Sequence, residues 1–312
     1  MAPRTCPAGT APLTRLPALA GLLLLALALF AAAPAAANTT YPTPEAAMTA
    51  FRDAVDGKNG KGILDLFGHE YEADLTGGDV AEARENVEAL RRMAAQRMTL
   101  APDGEGRMVI IMGRRGWPMP IPLVKGEGGW RFDVKAGVEE IIDRRIGRNE
   151  LAAIGFCKTY IDAQRQYAST DHGSGVLAFA QRIRSSEGKH DGLYWPAGAD
   201  GAESPLGPFA AAAEPYLAEH KEGDPFHGYY FRILTEQGAN APGGAYNYVI
   251  NGNMIAGFAL IAWPADYGRS GIMTFECSHH GQVLEKNLGA DTAQAAAAIT
   301  SYDPDGTWQP AE

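Results

Sequence analysis

Apolar and polar positions recur along this chain with two different periods, and the change between them divides it. Thr43 is suited to cap a helix and Pro44 stands where the first helical residue needs no N–H. Ala47, Met48, Phe51, Ala54 and Val55 then return at helical spacing until Gly57 and Gly60. A short second helix is predicted over residues 63–67 and a third, rich in Ala, Glu and Arg, over 80–98. Period two follows. Residues 108–112 read as an apolar strand, and 121–124 and 130–134 flank Gly126-Glu127-Gly128-Gly129, the composition of a hairpin turn. Helices followed by antiparallel strands predict a small α+β domain over residues 38–138.

A long helix over 138–168 opens the remainder, residues 139–312. Ile141, Ile142, Ile146, Leu151, Ile154, Cys157 and Ile161 form its apolar stripe, with Arg144, Arg145, Arg148 and Glu150 falling elsewhere. Gly147 and Gly155 each weaken it by about 1 kcal/mol relative to Ala. A Gly/Pro-rich stretch over 171–227 holds two helical patches, 176–185 and 210–220. Five strand segments come next, 229–235, 246–250, 254–263, 272–277 and 282–287, separated by turn signals of which Asn251-Gly252 is the sharpest. A short helix over 293–299 closes the pattern. The expected fold class is α+β throughout: a helix-plus-sheet domain, then a long helix packed on an antiparallel meander.

The first residues belong to neither pattern. Arg4 and Arg15 precede a Leu/Ala run over 18–30, and Ala33-Pro34-Ala35-Ala36-Ala37 offers a small-residue cleavage site before Asn38. Residues 1–37 are therefore expected to be a signal peptide cut after Ala37, leaving the chain periplasmic or secreted and in contact with the membrane only transiently; the rival is an uncleaved anchor, which the run nearly matches in length but which its Ala-rich composition and lack of a following basic flank disfavour. Cys6 lies before the apolar run, which excludes a lipoprotein reading. This segment carries two of the 27 basic residues and none of the 37 acidic ones, so the remainder bears a net charge of −12. Such acidity excludes a nucleic-acid partner, whose phosphates need Lys and Arg.

Candidate chemistry is sparse. His279 and His280 are adjacent at a turn and read as solvated; His227 reads as a loop anchor. His69, His172, His190 and His220 have no metal-ligand spacing. Ser270 lacks the G-x-S-x-G frame of a nucleophile elbow. Asp171-His172-Gly173-Ser174-Gly175 offers one acid where calcium needs several oxygens. Tyr229, Tyr230 and Phe231, and Tyr246 with Tyr248, read as sheet packing pairs. No cofactor, metal ligand or catalytic residue is assigned. Cys157 shares the helix stripe with Ile154 and Ile161, and Cys277 a strand face with Met273 and Phe275. The two either form a disulfide, if that helix packs on that sheet, or remain two separately buried thiols.

Three resemblances follow from particular residues. The first helix and the Pro122–Phe132 hairpin resemble the cone-shaped nuclear-transport-factor-2 superfamily, a fold that can enclose a pocket or serve as a plain structural module. The stretches Arg144–Glu150, Tyr160–Tyr167, Asp191–Pro196, Ser204–Pro208, His227–Phe231 and Trp263–Gly268 together resemble a bacterial secreted family known only as domain of unknown function 2950. The order of long helix, variable loops and strands in the second half is similar to the globular part of pilins and pseudopilins. Here, unlike in a pilin, a whole domain precedes the helix. Many turn residues and few convergent polar groups point to a non-catalytic interaction or assembly module, with envelope, secretion or pilus-type proteins as the expected partners. The alternative is a small-ligand-binding protein or enzyme using a pocket of the N-terminal domain, with His69 or Asp74 as inward polar groups.

Overall fold

The first helix forms where its cap dictates. In the computed structural model, which describes residues 39–57, 61–78, 80–196, 202–213 and 223–311, α1 spans Pro44–Asp56. Thr43 accepts from the Ala46 amide at 3.2 Å, and Gly57 ends the helix. Ala47, Phe51 and Val55 are its buried face. α2 (Lys61–Phe67) follows, then a 3₁₀ turn at His69–Tyr71, α3 (Glu72–Thr76) and α4 (Val80–Gln96). The expected signal segment and Gly60 lie outside the described residues. α3 has no counterpart in the sequence-based reading, because five residues are too few to leave a periodic signature. The third helix was expected to reach Met98 but stops at Gln96. Met98 instead starts a strand, paired with Met112 across the sheet.

That first sheet is antiparallel. β1 (Met98–Pro102), β2 (Arg107–Met112), β4 (Leu123–Gly126) and β5 (Gly129–Phe132) lie in the order β1-β2-β4-β5, and β3 (Trp117–Pro118) pairs with β2. Gly126 faces Gly129, so Glu127-Gly128 is the two-residue hairpin turn the composition indicated. The helices and this sheet share one hydrophobic cluster around Phe51, Phe67 and Phe132. Their ring centroids lie 5.9 Å (Phe51–Phe67) and 5.3 Å (Phe67–Phe132) apart.

α5 (Val134–Tyr167) begins four residues earlier than the pattern indicated, because Asp133 caps it by accepting from the Ala136 amide. Its 34 residues make a rod about 51 Å long at 1.5 Å per residue. Gly137 permits its close approach to the first sheet: a Cβ there would sit 2.7 Å from the Ile121 Cα. Gly147 and Gly155 are exposed and the helix runs through both. Two positions depart from the expected single stripe. Leu151 is 66% exposed, while Arg145, assigned to the polar side, is only 5% exposed. A helix that serves one cluster with its start and another with its end buries different faces in turn, so no one stripe describes it.

The second cluster forms where the end of α5 meets a sheet in the order β14-β13-β12-β11-β6. Its strands are β6 (Tyr229–Leu234), β11 (Ala259–Pro264), β12 (Met273–Ser278), β13 (Val283–Asn287) and β14 (Gln309–Pro310), all antiparallel to their neighbours. The segment expected as one strand over 246–250 is split. β8 (Tyr246–Asn247) pairs with β7 (Glu236–Gln237), and β9 (Val249–Ile250) turns through Asn251-Gly252 onto β10 (Asn253–Met254). Asn251 at φ 50° and Gly252 at φ 82° occupy the left-handed region that such a two-residue turn requires. The patch at 176–185 is an extended segment rather than a helix. Phe179 bridges to Met254 and Arg184 to Tyr194, and these tertiary pairings outweigh its helical spacing. α6 covers Gly207–Ala212, with most of the remaining 210–220 patch outside the described residues, and α7 covers Thr292–Ala298. Among the described residues no helix is long and apolar enough to cross a membrane.

Candidate functional site

The helices of the first half do not close fully over their sheet. Between them lies a cleft of about 1090 Å³. Its floor is apolar: Phe51 and Phe67 from α1 and α2, Met119 and Ile121 from the sheet side, and Ile141 from α5. α4 supplies one wall with Val87, Leu90 and Met93, and Leu75 of α3 another. Onto this apolar lining the chain projects five arginines (Arg84, Arg91, Arg144, Arg145, Arg148) against three carboxylates (Asp56, Glu72, Glu88).

Three of these arginines have evident structural partners. Arg91 donates to the carbonyls of Val55 (3.3 Å) and Gly57 (2.8 Å) while pairing with Glu88, which ties α4 to the end of α1. Arg144 bonds Glu140 at 2.7 Å and the Pro118 carbonyl at 2.8 Å, and lies over the Trp117 ring. Arg148 pairs with Glu82 at 2.7 Å. Arg145 differs. Its Nη2 donates to the Asp74 carbonyl at 2.6 Å and the Leu75 carbonyl at 3.4 Å, beneath the end of α3. Its Nη1 is buried and has no hydrogen-bond partner. Gly77 must be a glycine for this packing, since at φ 68° a Cβ would come within 2.6 Å of the Arg145 Nε. Burial holds the guanidinium below its ordinary value; Glu82 opposes that, Arg148 and Arg269 add repulsion, and Asp74 opposes again. The group nevertheless stays cationic at any ordinary pH.

The polar groups considered for the cleft from sequence do not enter it. His69 contacts Asp65 at 3.0 Å on the surface, and Asp74 turns away to pair with Arg269 of the β11–β12 connection. The decisive side chain, Arg145, lay unrecognised in a charged run. The only signal available was its position one residue from the apolar Ile146.

Elsewhere the candidates have structural partners. Asp171 accepts the amides of Gly173, Ser174 and Gly175, so its loop is organised by one carboxylate; burial pushes that carboxyl up, and the hydrogen bonds outweigh it to hold the group low. Among the described residues no cluster of metal-ligating groups is present. Ser270 Oγ donates to the Gly228 carbonyl. His172 stacks on Tyr167 at 3.8 Å and His190 on Trp195 at 4.2 Å; His220 lies outside the described residues. His227 enters the second sheet at φ 46° beside Phe226. Of the pair expected to be solvated, only His280 is exposed. His279 packs on Tyr248 and Phe258, and burial lowers its pKa, because the turn folds back over the sheet. Tyr229 and Tyr248 are fully buried packing residues, whereas Tyr230 is exposed beside Trp263. Cys157 and Cys277 are both buried, and Cys277 Sγ lies 3.8 Å from the Cys157 carbonyl oxygen.

A second buried polar group escaped the sequence reading. Glu276, on the face of β12 opposite Cys277, is 1% exposed, and its Oε2 has no partner; Thr274 Oγ1 on the same face is likewise alone. Burial raises the Glu276 pKa to about 8, with Asp303 adding to the rise, Lys286 opposing it and Asp305 adding again.

The chain belongs to the family described as protein of unknown function (DUF2950), whose family model matches residues 38–311. No curated protein and no solved structure matches it significantly.

Proposed function

We propose that this DUF2950 protein is an exported, non-catalytic binding module that holds a small, largely apolar molecule in the cleft of its N-terminal half. The observation that carries the reading is the cleft itself. The cleft is open to solvent and offers about 1090 Å³ over Phe51, Phe67, Met119 and Ile121, about the upper end of the volume that ligand pockets have. Its described lining contains no serine, cysteine, histidine or lysine, and of its three carboxylates Glu88 is paired with Arg91. That favours retention of a ligand over its conversion. Export rests on the residues before Asn38, and the mature N-terminus is expected there by N-terminal sequencing.

The test uses N-phenyl-1-naphthylamine, an uncharged dye that fluoresces in apolar surroundings. Wild-type protein is expected to bind it saturably, and Val87→Trp, which places an indole in the cleft from α4, is expected to weaken binding about tenfold or more. No saturable signal from the wild type, or equal binding by the variant, overturns the proposal.

A further inference from the structure

The apolar surface that the cleft leaves open lies in a line. Ala83, Val87, Leu90 and Met93 line the cleft at i, i+4, i+7 and i+10 of α4, one face of that helix about 15 Å long at 1.5 Å per residue. All four are only half-buried, as are Leu75 of α3 and Ile141 of α5, which line the same cleft. Phe51, Phe67, Met119 and Ile121 of the floor are already sealed, none more than 4% exposed. The surface open to a ligand is therefore the aliphatic stripe of α4 and its neighbours. The polar groups of the lining are engaged or hydrated. Arg91, Arg144 and Arg148 pair with Glu88, Glu140 and Glu82. Arg145 gives Nη2 to two carbonyls and keeps Nη1 sealed inside the protein. The Thr76 hydroxyl donates to the Glu72 carbonyl and accepts from the Gly78 amide. Asp56, Glu72, Arg84 and Asn86 are exposed to water. A polar group carried down onto the stripe would lose its hydration with no bond in return, a costly exchange.

We propose that the cleft takes the hydrocarbon chain of a lipid, laid along the α4 stripe, with the head group left in water at the mouth. A linear apolar stripe under a charged, hydrated rim matches a molecule with a linear apolar body and a polar end. Recognition then follows chain length, because each methylene laid on the stripe leaves water and adds a similar increment. The head group stays hydrated and contributes little. This inference rests on the binding reading above and names its ligand class.

The experiment measures displacement of N-phenyl-1-naphthylamine at pH 7 by octan-1-ol, decan-1-ol and dodecan-1-ol, and by dodecanoate and dodecylamine. Along the alcohols, wild-type affinity is expected to rise about tenfold or more for every two methylenes. At twelve carbons the alcohol, acid and amine are expected to agree within about threefold. Leu90→Asp, which sets a carboxylate on the half-buried stripe, is expected to weaken dodecan-1-ol about tenfold or more. The wild-type series needs no variant, so a misfolded Leu90→Asp leaves the test intact. A tenfold preference among head groups, a gain below about threefold per two methylenes, or unchanged binding by folded Leu90→Asp overturns the inference, while saturable dye binding preserves the cleft as a site. Absence of dye binding removes both.

Discussion

Glu276 offers a direct measure of what burial does to a charge in this fold. Its side chain on β12 is buried with one oxygen unpartnered, and its pKa rises from 4.5 to about 8. In the unfolded chain it ionises near its ordinary value. Below pH 4.5 both states hold the proton and the group contributes no pH dependence. Between pH 4.5 and 8 the folded state holds a proton that the unfolded state has lost, so stability falls as pH rises. At about 1.4 kcal/mol per pH unit the loss reaches a ceiling of about 5 kcal/mol above pH 8. Glu276→Gln keeps the shape and removes the titration. The variant is expected to match wild type to within about 1 kcal/mol at pH 5, and to exceed it by several kcal/mol at pH 9. Urea unfolding followed by tryptophan fluorescence at pH 5, 6, 7, 8 and 9 gives both profiles. Parallel curves across that range would refute the reasoning, for they would mean that Glu276 titrates alike in the folded and unfolded chains.

Three further outcomes are expected. Phe51→Ala removes a ring that is 1% exposed and packed between Phe67 and Phe132, so unfolding should show a loss of about 3–5 kcal/mol; a change below 1 kcal/mol would contradict the packing. Gly77→Ala forces a side chain into the left-handed region and against Arg145. It should cost about 1–3 kcal/mol in the same assay, and neutrality would contradict the close approach of Gly77 to Arg145. Cys157 and Cys277, brought together by α5 and β12, are proposed to join in an oxidising compartment. Protein isolated from the cell envelope, denatured without reductant, should then release no thiol to Ellman's reagent, and two thiols per chain would end that proposal.

How much of this was legible in the sequence depends on how far each signal reaches along the chain. Thr43-Pro44, the Gly126–Gly129 turn and Asn251-Gly252 act within a few residues, and α1 and both hairpins form as they indicate. The split of the 246–250 strand and the extended course of 176–185 depend on partners far along the chain, Glu236 and Met254 among them, which local spacing does not encode. The cleft was harder still, because an unfilled volume leaves no mark in a pattern of apolar residues: the same leucines and phenylalanines line a cavity or close it.

The run Arg144–Glu150 shows why the charged residues of α5 were misread. Periodicity treats a charge off the apolar stripe as a charge in water, yet this run lies where the helix passes from one hydrophobic cluster to the other. Its polar groups answer backbone groups that neither sheet satisfies. Arg144 reaches the Pro118 carbonyl and Arg145 those of Asp74 and Leu75 on one side. On the other, Asn149 bonds the Ser270 carbonyl at 2.9 Å, and Glu150 accepts the amides of Ile272 and Met273, each at 2.9 Å. Three of these residues, Arg144, Asn149 and Glu150, complete their bonding within the chain. Arg145 does not, and it is the residue in that run buried in the wall of the cleft. Asp74 extends the connection, because its carbonyl receives Arg145 while its carboxylate holds Arg269 beyond β11.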